Sequence, residues 1–336
     1  MTNQTRVYFA TNRRKVGTDY GDKIVQNDPN QIAFALATVA GIDLTKENSG
    51  AIASIDSLSF GNFTPAVTDQ IINGGKNLLI FVHGFANAFQ DAIKRAAFNR
   101  EWFAASGEAH ADTTVVSFTW PSKGEVFAAP PHIPTADYQA DQTRAGQSGF
   151  HLGHFLKVVD GLAKKFRQAK PAGRVFLLSH SMGNYALQAG VQGLFGMGGV
   201  AAPIFDEAIL AAADERWDSL LQPNGGRLSN LPKLAKRITA YYSERDVAMI
   251  LAMALNFLLR IGFDGPKEKT DTALYPKAKF RFVEVTDVED YDLFNPPDAS
   301  HQYYRRSALV RADIVSLMAD NAAIPGGIVK LSSQIV

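Results

Sequence analysis

The sequence predicts an α/β domain built on a mostly parallel sheet, and three observations carry that expectation. Continuous apolar runs of strand length recur, such as Asn77-Leu78-Leu79-Ile80-Phe81-Val82 and Val175-Phe176-Leu177-Leu178. A strand apolar at every position is buried on both faces, as strands of parallel sheets are. These runs alternate with amphipathic stretches of helical length, the pattern of a sheet covered by helices on both sides. The chain also shows no internal repeat and no low-complexity tract, so its 336 residues read as one domain with a core from about 6 to 320.

In chain order, Arg6 to Thr11 reads as a first strand and Gly17 to Asn30 as a polar loop. Gln31 to Ile42 is ambiguous, because its alanines favour helix while strand pairing would need it extended. Ile52 to Phe60 alternates apolar and small polar residues, as a second or edge strand would. Pro65 is placed at the start of a short helix that stops near Asn73-Gly74-Gly75. The buried strand 77–82 ends in His83-Gly84-Phe85, and helix 87–105 follows with Phe89, Ile93, Ala97 and Phe98 on one side. Thr113 to Trp120 is another buried strand, and the proline-bearing stretch 121–137 is a loop. Helix is expected from Tyr138 to Gln168, strands at 207–213, 237–242 and 280–285, and a final helix from Arg305 to Asp320.

Composition bounds the chemistry. With 34 basic and 33 acidic residues the formal net charge is +1, which gives no electrostatic footprint for nucleic acid or an anionic membrane. The absence of cysteine excludes disulfides, a thiol nucleophile and Cys-ligated metal sites. The longest apolar segment, Val247 to Ile261, is interrupted by Asn256 and Arg260 and falls short of the ~20 residues a bilayer span needs. The N-terminus has no basic stretch followed by an apolar one, so no signal peptide is expected and a cytoplasmic location is. His151 and His154 share a helix face, but no carboxylate or third ligand completes a metal set, and no phosphate-loop or dinucleotide pattern is present.

The chemistry converges on Arg174 to Tyr185, RVFLLSHSMGNY. An apolar strand turns through Ser179-His180-Ser181-Met182-Gly183 into a helical stretch, which is the nucleophile elbow of an α/β-hydrolase. Gly183 takes the last place of G-x-S-x-G, and Ser179 stands where its first glycine usually sits. A serine hydroxyl needs a base, and this fold supplies its partners in the chain order Ser, acid, His. Of seven histidines only His301 follows Ser181, in a loop before the final helix. The acid is expected past the second strand beyond the elbow, which selects Asp246. Asp214, at the end of strand 207–213, is the alternative, and it also reads as a structural carboxylate near Trp217. Asp246 has a competing structural reading as a helix N-cap, and His301 one as an exposed loop histidine. The oxyanion donors are expected to be the backbone N–H groups of Met182 and of Phe85, with His83 bonding loop backbone.

The motifs VYFATNR, IFVHGFANAFQDAIKRAA, FTWPSKG, Tyr138-x-x-Asp141, LLSHSMGNYAL, ILAAADERWD and YYSERDVAM together resemble a bacterial α/β-hydrolase family. That family is catalogued as a domain of unknown function and often named esterase/lipase superfamily. The resemblance runs from about Arg6 to about Arg311. It implies a nucleophile at Ser181, an acid at Asp246 and a base at His301. The family elbow usually reads A-H-S-M-G-N, so Ser179 takes an alanine's place. The family's H-G-F-N-N stretch maps onto His83 to Asn87, with Ala86 replacing its first asparagine.

The expected activity is therefore hydrolysis of a small-molecule carboxylic ester through an acyl-enzyme, by triad chemistry that calls for no cofactor or metal. Amide, thioester and lactone hydrolysis, or a non-catalytic binding protein on the same fold, are the alternatives. The stretches 121–137, 194–203 and 247–261 are candidates for shaping the acyl pocket, with Phe127, Phe195 and Met253 as wall residues unless they serve ordinary core packing. No long insertion separates strands 207–213 and 237–242, so no large cap domain is expected, and short-chain or accessible esters suit such a site.

Overall fold

The computed structural model describes residues 4–74, 76–123, 127–128, 131–132, 135–221, 227–290, 299–319 and 324–333. From the N-terminus the strands are β1 (Gln4–Thr11), a hairpin of β2 (Arg13–Val16) and β3 (Asp19–Ile24), β4 (Ala33–Ala40), β5 (Ala51–Leu58), β6 (Asn77–Val82), β7 (Thr113–Thr119), a two-residue pair β8 (Phe127–Ala128) and β9 (Pro131–His132), β10 (Val175–His180), β11 (Phe205–Ala211), β12 (Ala235–Tyr242), β13 (Phe280–Asp287) and β14 (Gly327–Ser332). The helices are α1 (Phe60–Gly74), α2 (Phe89–Ala104), α3 (Thr135–Gln147), α4 (Gly149–Ala169), α5 (Gly183–Gly196), α6 (Leu231–Leu234), α7 (Val247–Asn256), α8 (Ile261–Asp264) and α9 (Ala308–Met318).

Among the described residues ten strands form one sheet in the order β14-β13-β12-β11-β10-β6-β7-β1-β4-β5. Pairing is parallel from β14 through β1 and antiparallel where β4 and β5 are added. The apolar runs work as their pattern requires. Along β6 and β10, Leu78, Ile80 and Leu177 face a core shared with α1, α4 and α5, while Leu79, Phe81, Phe176 and Leu178 face a second core shared with α2 and α9. Burying one such side chain is worth about 1.5–3 kcal/mol, which is why strands apolar on both faces sit at the middle of the sheet. The connections after β6 and β10 leave to opposite faces, α2 into one core and α5 into the other. The strand order therefore reverses between these two adjacent strands, a switch point beyond whose C-terminal ends α/β sheets place their ligands.

Several expectations change in detail. Within 31–42 the chain forms strand β4 over Ala33–Ala40, because antiparallel pairing to β1 alternates its burial. The polar stretch 17–30 contains the turn and second strand, β3, of the β2–β3 hairpin. Helix α1 begins at Phe60, five residues before Pro65, with the Ser59 hydroxyl accepting from the Asn62 N–H. The single helix expected over 138–168 is two helices, α3 and α4, broken at Ser148. A strand beyond 280–285, β14, closes the sheet edge with half-exposed alternation. The β11–β12 connection carries only the four-residue α6 among its described residues. No described helix is long and apolar enough to cross a membrane.

Candidate active site

Ser181 sits between β10 and α5 with φ +53°. A left-handed backbone costs a residue with a Cβ about 1–2 kcal/mol, so it must be held from outside. The Ser181 N–H donates to Ala211 O at 3.0 Å, and its carbonyl accepts from the Asp214 N–H at 3.1 Å and the Asn184 N–H at 2.9 Å. Asn184 Nδ2 adds bonds to the carbonyls of Ser179 and Ser181, both at 3.1 Å. Space is as tight as the motif implies. A Cβ on Gly183 would lie 2.5 Å from His83 O, and one on Gly84 would lie 2.8 Å from Ser181 Cβ.

Asp246 and His301 meet across 55 residues of sequence. His301 Nδ1 lies 2.8 Å from Asp246 Oδ2, so Nδ1–H donates to the carboxylate and the second ring nitrogen carries the lone pair of the neutral imidazole. Asp246 is fully buried at the N-cap of α7, where Oδ1 accepts from the Met249 N–H at 3.0 Å. The carboxylate thus serves both partners, one oxygen for the imidazole and one for the helix cap. Burial raises the Asp246 carboxyl above its ordinary range, opposed by His301 and by the backbone amides at the helix start. His301 is tied to the end of strand β10 by His180, whose Nε2–H donates to His301 O at 3.2 Å and whose ring packs on His301 at 4.7 Å and on Tyr304 at 4.6 Å. Burial, then the charge of His301, holds His180 well below the usual histidine range, so it stays neutral in this role. Tyr303 ties the same turn to the sheet, its hydroxyl donating to Tyr241 O at 2.9 Å and accepting from the Ala212 N–H at 2.8 Å.

The loop after β6 packs closely against Ser181 and His180. His83 Nε2 accepts from the Trp120 N–H at 3.1 Å, which leaves Nδ1–H to donate to Gly84 O at 2.9 Å. The His83 carbonyl accepts from the Trp120 indole at 2.8 Å, and the two rings stack. Burial drives His83 far below its ordinary pKa, so it is a neutral bonding group. Among the described residues, neither the Phe85 nor the Met182 N–H donates to another protein group.

A comparison with curated proteins finds no match. The model of a family described as alpha/beta hydrolase of unknown function (DUF900) matches residues 59–317, more than three quarters of the chain. The chain belongs to this family. The matched span holds every residue of the site just described, from His83 to His301, and leaves β1 to β5 outside apart from the approach to α1.

Around the hydrolase's elbow the remaining candidates separate. Asp214 accepts from the Tyr138 hydroxyl at 2.7 Å and faces the buried Arg260 at 3.2 Å, so its carboxylate is committed away from His301. Asn256 also donates to the Tyr138 hydroxyl at 2.9 Å, and the Tyr138 ring approaches Phe85 at 6.0 Å. Of the three pocket candidates, Met253 is half-buried on α7, about 10 Å along the helix from Asp246. Phe195 is at the far end of α5, about 18 Å by helical rise from Gly183, under Lys233, and the structure does not bring it to Ser181. The backbone of Phe127 lies in β8, and its side chain falls outside the described residues. The helix carrying Asp246 leaves Val247 and Ile250 exposed, and Phe257, at φ +55° just past its end, is 91% exposed. His151 is bonded to Gln26 O, and His154 borders a surface cavity of about 580 Å³ with Lys15, Phe34 and Lys157 that none of the site residues lines.

Sequence reasoning missed the support beneath the loop after β6. Arg13 is buried, and Nη2 donates to Asn87 O at 2.7 Å, with further bonds to Ser122 O and Gly21 O. Burial depresses its guanidinium to about 9, against the pull of Asp141, Asp22 and Asp19. Ser122 donates to Asp141 and accepts from the Asn87 N–H at 3.2 Å, and Asp141 also takes the Lys123 N–H and Arg144. The signal in the sequence was the set of motifs themselves. VYFATNR, FTWPSKG and Tyr138-x-x-Asp141 have no chemistry in common until the fold gathers them under HGFAN.

Proposed function

We propose that this hydrolase cleaves carboxylic esters through an acyl-enzyme on Ser181. The observation that carries the reading is the Asp246–His301 hydrogen bond, with the His301 carbonyl accepting from His180, the residue next to a serine in a left-handed turn. His301 takes the Ser181 proton as Oγ bonds to the acyl carbon. The oxyanion is held by the Phe85 and Met182 N–H groups, each worth about 3 kcal/mol in the transition state. The tetrahedral intermediate collapses, and His301 returns the proton to the departing alkoxide. Water then attacks the acyl-serine, giving a proton to His301, and the acid leaves with Ser181 restored. Asp246 fixes the tautomer of His301 and stabilises its imidazolium. An alcohol departs with less protonation than an amine requires, which favours esters over amides. The whole chain is read as one domain acting on a small-molecule ester in the cytoplasm.

A fluorophosphonate probe tests the nucleophile. Wild-type protein should label and Ser181→Ala should not. Equal labelling of both, or no labelling of folded wild type, would sink the reading and favour a non-catalytic protein on this fold. Nitrophenyl esters of rising chain length then test the substrate, with short chains expected to turn over best. Faster turnover of a matched thioester, lactone or anilide would move the assignment to that acyl bond.

A further inference from the structure

We infer that Asn87 is a positioning residue for the oxyanion donor, acting through the plane of the Gly84–Phe85 peptide. This rests on the serine-hydrolase reading above. A trans peptide is planar, and its C=O and N–H point in opposite directions. The carbonyl of Gly84 and the N–H of Phe85 belong to one such unit, so the direction of either fixes the other. Gly84 O is held from inside the protein by two donors, Asn87 Nδ2 at 3.0 Å and His83 Nδ1 at 2.9 Å. The Phe85 N–H must therefore point the other way, out of the loop's interior. The unit lies against the nucleophile, since a Cβ at Gly84 would stand 2.8 Å from Ser181 Cβ. The same Asn87 amide also holds Phe85 O at 2.7 Å, so two successive peptides are fixed by one side chain and cannot flip singly.

Two carbonyl acceptors on Nδ2 set the amide's orientation, since an amide oxygen there would face two oxygens. Asn87 is in turn fixed at both backbone groups. Its N–H donates to Ser122 Oγ and its C=O accepts from Arg13 Nη2, with Asp141 behind Ser122. Each of these groups is buried, so the bonds face no competition from water. The arrangement supplies a preorganised donor: reorientation of the peptide is prevented before the substrate arrives, and the oxyanion meets an N–H already aimed. Ala86, at φ +56°, makes the turn that lets Asn87 reach back over two residues.

The test uses full-length Asn87→Ala and Asn87→Asp, with Ser122→Ala as a milder change beneath them. For each, kcat and KM are measured on a nitrophenyl ester, beside the Ki of a trifluoromethyl ketone, which forms an oxyanion on Ser181, and that of the corresponding alcohol, which does not. Asn87→Ala is expected to lower kcat about 10- to 100-fold with KM within about threefold, and to raise the ketone Ki by a similar factor while the alcohol Ki holds. Ser122→Ala should move the same quantities in the same direction by less. Unchanged kcat and ketone Ki in a folded Asn87 variant overturn the inference, as does equal weakening of ketone and alcohol. If both Asn87 variants fail to fold, Ser122→Ala decides it by the same split. Wild type that neither labels nor turns over ester overturns the hydrolase reading instead, so the two failures are distinct.

Discussion

Asp246→Asn isolates the proton bookkeeping of the site from its architecture. The side chain keeps its size in a fully buried position. Oδ1 caps α7 through the Met249 N–H, and an amide oxygen can continue to do so. The amide nitrogen then faces His301 Nδ1, 2.8 Å away in the wild type. Two donors cannot share that contact, so the imidazole proton moves to the other ring nitrogen, and the lone pair needed to take the Ser181 proton is gone. A triad acid lost in this way costs about 10⁴ in kcat, or roughly 5.5 kcal/mol of transition-state stabilisation. Because the cap survives, stability should change by only about 1 kcal/mol. Initial rates on p-nitrophenyl acetate and thermal melts of the same preparations give both numbers. Asp214→Asn is the control with the opposite profile. It leaves Arg260, 1% exposed, facing a neutral amide, which should cost about 3–5 kcal/mol of stability while activity per folded molecule falls far less. Asp246→Asn retaining more than a tenth of wild-type kcat, or a larger activity loss per folded molecule in Asp214→Asn, would refute the assignment.

Further expectations follow from single features. Glu215 is fully buried, and burial pushes its carboxyl up to about 7 from 4.5 against the pull of Arg227. The folded state then binds more protons than the unfolded chain between these values, so stability contributed by Glu215 is present below about pH 4.5 and is lost as pH rises toward 7. Glu215→Gln should flatten urea-midpoint profiles across that window, by on the order of 1–3 kcal/mol, and parallel profiles for both proteins would contradict it. Gly84→Ala should cost about 1–3 kcal/mol by overpacking against Ser181, with kcat down at least about tenfold, whereas Gly61→Ala, in open space, should leave kcat alone. Ala86→Gly relieves a left-handed alanine and should raise stability by about 0.5–1 kcal/mol, read as a higher melting temperature; a lower one would mean the turn is not strained.

The parallel strands and their two-sided burial were legible because a strand inside such a sheet must be apolar throughout. Edge elements were harder to read. β14 carries Lys330 and Ser332 in half-exposed alternation, and the β2–β3 hairpin lies in a polar stretch whose turn chemistry is weak. β4 was undecidable locally, since Ala-rich sequence accepts helix or strand and only pairing to β1 settles it. The break at Ser148 coincides with a tertiary contact, since Asn12 Nδ2 donates to its hydroxyl, which itself donates to the Arg144 carbonyl one turn back. Within the candidate site, Ser181, Asp246 and His301 stand out as candidates in the sequence because each comes after a strand and carries a side chain suited to the proposed chemistry. Arg13, Asn87, Ser122 and Asp141 do not, since a buried guanidinium is disfavoured by every local rule and becomes reasonable only when its three carbonyl partners are assembled.

The backbone clamp on Ser181 runs outward through residues that have almost no side chains. Ser181 bonds to Ala211, the next residue, Ala212, holds a left-handed turn at φ +45°, and a Cβ on Gly262 of α8 would stand 2.4 Å from the Ala212 carbonyl carbon. An alanine scan would pass over Ala211 and Ala212 in silence, because there is nothing there to remove. Their contribution lies in what they leave out, and only enlarging substitutions report it. A survey of this hydrolase by truncation would thus report on the side chains around Ser181 and overlook the spacing that holds its backbone.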